Sequence, residues 1–106
     1  MEKRYSQMTP EELRREIAEL KVKAQRAEQM GMINEVAVYE RKMAMAEAYL
    51  MDPKAFKKGE VYKIKYSDAA PFTIAYMKGV FAWGHHEGSD EWAAYPISLL
   101  EKYEGR

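Results

Sequence analysis

The residues that carry the most chemistry are His85-His86-Glu87, followed closely by Asp90-Glu91. Imidazole and carboxylate ligate zinc, and the same groups serve as general acids and bases. Their spacing argues against both uses. Neighbouring side chains of an extended segment point to opposite sides, so His85 and His86 would not readily share one ion. The pattern matches no strong metal motif. No serine or cysteine stands as a nucleophile partner to these imidazoles, and the chain has no cysteine at all. Disulfides and thiolate metal sites are thereby excluded. Ser89 and Ser98 suit turn and capping positions. Gly79, Gly84 and Gly88 punctuate strand-like runs rather than precede a helix, so no phosphate-binding loop is formed. His85 to Asp90 therefore reads as a polar turn. Neither an enzyme nor a metal or other cofactor is expected.

The aromatic residues offer a different chemistry. Tyr62, Tyr66, Tyr76, Phe81, Trp83, Trp92 and Tyr95 all fall in the C-terminal half. Exposed rings can hold proline-rich peptides, cations or stacked bases. The same rings could equally fill the core of a small barrel, and the sequence leaves both uses open. The candidate partner-binding set is Tyr66, Tyr76, Trp83 and Trp92, with Lys63 and Lys65 beside them. Trp83 precedes Gly84, where a backbone can approach a ligand closely.

These residues must be positioned by strands. Glu60 to Tyr66 alternates as a first strand, with Tyr62, Ile64 and Tyr66 on one side and Lys63 and Lys65 on the other. Pro71 to Gly84 reads as a hairpin turning at Lys78-Gly79. Its first arm places Phe72, Ile74 and Tyr76 on one face. The second sets bulky Phe81 and Trp83 against small Val80, Ala82 and Gly84. Trp92 to Tyr95 is a fourth short strand, Pro96 to Glu101 a final helical turn, and Lys102 to Arg106 a frayed tail. Four short strands with tight turns predict a curled antiparallel sheet, and an SH3-like, partly open barrel is the first choice. A strand apolar on both faces needs a cover on both.

The N-terminal half supplies an expected cover. Thr9-Pro10-Glu11-Glu12 is a helix start with a capping box. Leu13, Ile17, Leu20, Ala24 and Ala27 then recur at helical spacing. Gly31 ends that helix, and a second runs from about Met32 to Met51, stopped by Asp52-Pro53. Its stripe is Val36, Tyr39 or Glu40, Met43, Ala46 and Leu50. The run Met30, Met32, Met43, Met45 and Met51 could fill core gaps or form an adaptable surface. The expectation is one α+β domain over 1–106: an antiparallel helical hairpin (1–52) packed on an SH3-like barrel (53–106).

A chain of 106 residues with 47% hydrophobic residues can bury a real core. The formal net charge is zero, with 12 basic and 10 acidic residues over 1–58 and 5 and 7 over 59–106. Such a balance disfavours nucleic acid, which rewards a basic excess. No apolar run approaches the ~20 residues that span a bilayer, and the charged opening predicts no secretory signal. A cytoplasmic protein without membrane contact is expected.

The segments MEKRYSQMTPEEL, GMINEVAVYERK, FTIAYMKGVFAWG and YPISLLE, in this order and spread over nearly the whole chain, resemble the YfhH-like family of small bacterial proteins found in Bacillus and its relatives. The resemblance implies a helical hairpin followed by an SH3-like barrel. It brings no activity, catalytic residue or ligand residue with it. The function expected is a non-enzymatic protein-interaction module that binds an unknown protein partner or itself. The alternatives are a nucleic-acid-binding barrel using Lys57, Lys58, Lys63, Lys65 and Lys78, or a metal-dependent enzyme at His85 and His86.

Overall fold

Helix α1 (Pro10–Gln29) starts from a reciprocal cap. The Glu12 amide donates to the Thr9 hydroxyl at 3.1 Å, and the Thr9 amide donates to the Glu12 carboxylate at 2.9 Å. Two helix-end donors are satisfied in this way. The Thr9 amide, with the Lys3 ammonium 2.9 Å away, holds the Glu12 carboxyl below its usual range. In this computed structural model, which describes residues 3–104, the chain forms two compact units, Met1–Leu50 and Met51–Arg106.

The first unit is a helical hairpin. At Gly31, φ is +74°, a conformation that suits a residue without Cβ. The Gly31 amide donates to the Glu28 carbonyl at 3.1 Å and the Met32 amide to the Ala27 carbonyl at 2.9 Å. This bond pair closes the helix C-terminus. Helix α2 (Ile33–Ala48) follows and packs on α1, with Leu13, Leu20, Ala24, Ala27, Ala44, Ala46 and Ala48 buried. It ends three residues before the expected Met51, and Leu50 is exposed rather than part of a buried stripe. The Leu50 amide donates to the Glu47 carbonyl, a tightened last turn that stops the helix ahead of the proline. Asp52 instead caps a 3-10 turn at Pro53–Ala55. The methionines divide: Met43 and Met45 are half-buried, whereas Met30, Met32 and Met51 are exposed.

The second unit is one antiparallel sheet of β1 (Val61–Ile64), β2 (Phe72–Lys78), β3 (Phe81–His86), β4 (Ala93–Pro96) and β5 (Leu100–Lys102). The strand order is β4-β3-β2-β1-β5, so the sheet is open. The first four strands form a meander. A 3-10 turn at Ile97–Leu99 then sends the chain back to β1 as β5, so Leu100 and Glu101, expected in a final helical turn, and Lys102, expected in a frayed tail, are strand. The tail residues 105–106 lie outside the described residues. Strand β1 stops at Ile64, short of the expected Tyr66. The Lys65 amide donates to the Leu99 carbonyl at 2.9 Å, and Tyr66 takes a φ of +62° with 97% of its surface exposed.

The β2–β3 turn is Gly79-Val80, one residue later than expected, because Lys78 pairs with Phe81. A bulge at Ala75 then changes which residues share a face. Ile74 pairs with Gly84, but Tyr76 pairs with Trp83. One extra residue on β2 reverses its in–out alternation. Phe72 and Ile74 remain on the buried face, and Tyr76, expected beside them, moves to the opposite one.

Before β1, the Glu60 carboxylate accepts from the Lys57 amide and from the Tyr62 hydroxyl, which lies 2.8 Å away. These two bonds hold the Glu60 carboxyl below its usual range. Burial, together with the Glu60 carboxylate, pushes the Tyr62 hydroxyl up to about 12 from an ordinary 10.0. The fold thus favours the neutral phenol. Its contribution is fully present below pH 10 and should be lost as pH rises through 12. Denaturation midpoints measured across this range should fall with pH, and Tyr62→Phe should flatten that slope. An equally steep slope in the variant would refute the assignment.

Candidate functional site

Strand β3 sorts its residues by size. Ala82 and Gly84 are buried, while Phe81, Trp83 and His85 project to the opposite face and are only partly covered. The register brings Tyr76 of β2 beside Trp83, with ring centroids 6.0 Å apart and planes 4° from parallel. Trp92, which leads into β4, meets Tyr76 edge-on at 5.7 Å and lies over the His85 ring at 4.2 Å. Trp92 is 56% exposed and Tyr76 45%. Three of the expected partner-binding residues, Tyr76, Trp83 and Trp92, therefore form one ring array on the open face. Lys63 sits on β1 on the same face as Val61 and Thr73, while Lys65 and Tyr66 lie in the turn that follows. No described ring contact joins Tyr66 to the array.

The sequence presents His85 as a metal or acid–base group, whereas the structure makes it a member of the array, against Trp92. The signal lay in its position, two residues beyond Trp83 on one strand, which puts both on one face. His86 belongs to the other face. It packs on Phe72 and Tyr95, at ring distances of 5.4 and 5.6 Å. Its Nδ1 is 2.6 Å from the Ala70 carbonyl and its Nε2 2.7 Å from the Tyr95 hydroxyl. A carbonyl only accepts, so Nδ1 carries the proton and Tyr95 donates to Nε2. Both nitrogens are engaged in holding the sheet. The His85 Nδ1 likewise donates to the Glu91 carbonyl at 2.9 Å. Among the described residues, no three His, Cys, Asp or Glu side chains are grouped as metal ligands.

The close backbone approach expected at Gly84 is made by the protein itself. A Cβ placed there would lie 1.9 Å from the Thr73 carbonyl oxygen and 3.1 Å from the Ala75 nitrogen. Only a residue without a side chain lets β2 bulge over β3 at this point. The bulge and Gly84 together deliver Tyr76 to Trp83.

The polar end of the array is the loop from Glu87 to Glu91. The Glu87 amide donates to the Pro71 carbonyl at 2.8 Å, the Ser89 amide to the His86 carbonyl at 3.0 Å, and the Glu91 amide to the Ser89 hydroxyl at 3.1 Å. Main-chain groups thus fix the loop, and the carboxylates of Glu87, Asp90 and Glu91 sit on exposed residues.

The first unit holds a shallow, open groove lined by charged residues of both signs, among them Arg4, Arg15, Glu19 and Lys23. Tyr5 donates to Glu16 there at 2.9 Å. No helix among the described residues is long and apolar enough to cross a membrane.

The family described as Protein of unknown function (DUF1811) matches residues 3–101. The chain is 53% identical over 105 residues to the uncharacterized protein YfhH of Bacillus subtilis (strain 168), covering 98% of this chain and 100% of that protein.

Proposed function

We propose that this chain, which belongs to the DUF1811 family, is a non-enzymatic protein-interaction module that offers its Tyr76–Trp83–Trp92 face to a partner protein. The observation that carries the reading is the exposure of Trp92 and Tyr76 on a hydrogen-bonded sheet. Rings already held in place lose little freedom on binding, and Trp and Tyr dominate the energetics of protein interfaces. The strand order, with a 3-10 turn returning β5 to β1, also supports an SH3-like barrel as the scaffold. The acidic loop at the end of the array weighs against nucleic acid, since phosphates would meet carboxylates there.

The test is a displayed-peptide library selected on the wild-type chain, with the enriched peptides measured on Tyr76→Ala and Trp92→Ala. Each truncation should weaken binding by about 2 kcal/mol, roughly 30-fold. Peptides that bind both variants as tightly as wild type would place the interaction elsewhere and end this reading. Self-association is the second reading, motivated by the exposed Met30 and Ile33 at the α1–α2 joint. A strict monomer in sedimentation equilibrium would remove it.

A further inference from the structure

We infer that the partner brings a cationic side chain, arginine before lysine, to the Tyr76–Trp92 end of the array, beside the carboxylates of Glu87, Asp90 and Glu91. The inference rests on the proposed interaction face and names the chemistry that the face selects. Two independent features favour a cation. Tyr76 and Trp92 keep 45% and 56% of their surface exposed, and the π-face of such a ring is electron-rich and attracts positive charge. The loop entering Trp92 places three acidic residues within five positions.

Those acids have no counter-charge of their own. Among the described residues the ion pair is Lys3 with Glu12, and no lysine or arginine pairs with Glu87, Asp90 or Glu91. The loop is held through main-chain groups and the Ser89 hydroxyl. The His85 imidazole donates to the Glu91 carbonyl, so the loop backbone runs beside the array while its three acidic residues stay exposed and without an ion pair among the described residues. A neutral partner would gain nothing from them, and an anionic one would be repelled. Arginine suits the place best, because its flat guanidinium stacks on a ring while its edge donates to a carboxylate.

The full chain, labelled with nitrogen-15, would be titrated with three short peptides of one scaffold carrying arginine, citrulline or glutamate. The readout is the indole N–H signals of Trp83 and Trp92. The arginine peptide should shift the Trp92 signal, with affinity falling as salt is added. Citrulline keeps the shape without the charge and should bind about tenfold more weakly, and glutamate should not bind. The triple variant Glu87→Gln, Asp90→Asn, Glu91→Gln should lose about fivefold in arginine affinity with its free spectrum unchanged. Trp92→Ala should abolish the effect. Equal binding of arginine and citrulline would overturn the inference and leave the interaction face standing. Arginine binding that survives Trp92→Ala would reduce it to diffuse surface charge and overturn it too. No shift with any peptide would likewise overturn it, and the library selection would still judge the face independently.

Discussion

Gly84→Ala is expected to destabilise the sheet unit by about 3 kcal/mol, the upper end for overpacking. The added methyl would sit 1.9 Å from the Thr73 carbonyl oxygen, inside any tolerable contact. The obstacle is main chain, which cannot rotate aside as a side chain could. Relief requires β2 to move off β3 or the bulge at Ala75 to be lost. Losing the bulge would restore simple alternation and turn Tyr76 away from Trp83. The variant should therefore show a lower urea midpoint and also lose the stacked ring pair. Both tryptophans of the chain lie in this unit, so their emission and near-UV circular dichroism report on it directly. With folding stabilities of about 5–15 kcal/mol in all, the loss should be plain. A midpoint within experimental error of wild type would show that the approach is not needed.

Phe72→Ala should cost about 3–5 kcal/mol. The ring is 0% exposed and, with Ile74 and Ile97, among the largest fully buried side chains. It meets Tyr95 edge-on at 5.1 Å and His86 at 5.4 Å. Its removal leaves a cavity beneath the Ala70–His86–Tyr95 hydrogen-bond chain, so both packing and polar order suffer. Phe72→Leu, which keeps most of the volume, should recover most of the loss. Similar midpoints for the alanine and leucine variants would show that the cavity is not the cause.

The helices were the legible part, because their signals are local. Thr9 with Glu12 marks one end of α1 and Gly31 the other, each through bonds to residues a few positions away. The end of α2 was less so: a proline at 53 limits a helix but does not say how far short of it the last turn closes. The β2–β3 hairpin was legible as a pair of strands, whereas its bulge was not. Phe72 to Lys78 alternates cleanly on paper, and the extra residue at Ala75 becomes visible only against the partner strand. That one residue decided whether Tyr76 was core or surface. Strand β5 had no signature either, since three residues are too few for a period and only pairing with β1 makes them a strand. Tyr66 continued an alternating pattern that the Lys65–Leu99 bond cut short. Of the candidate surface, the ring types were readable and their sorting was not, because sorting depends on register.

The two borders of the sheet bear on how any partner can attach. One is β4, four residues long and finishing in Pro96, which has no amide hydrogen to offer. The other is β5, three residues long and bearing Glu101 and Lys102. A visiting strand that tried to extend the sheet would find few main-chain groups to join and charged side chains in its way. On the proposed reading, recognition would then fall to side chains lying across the sheet, where a single substitution could abolish it.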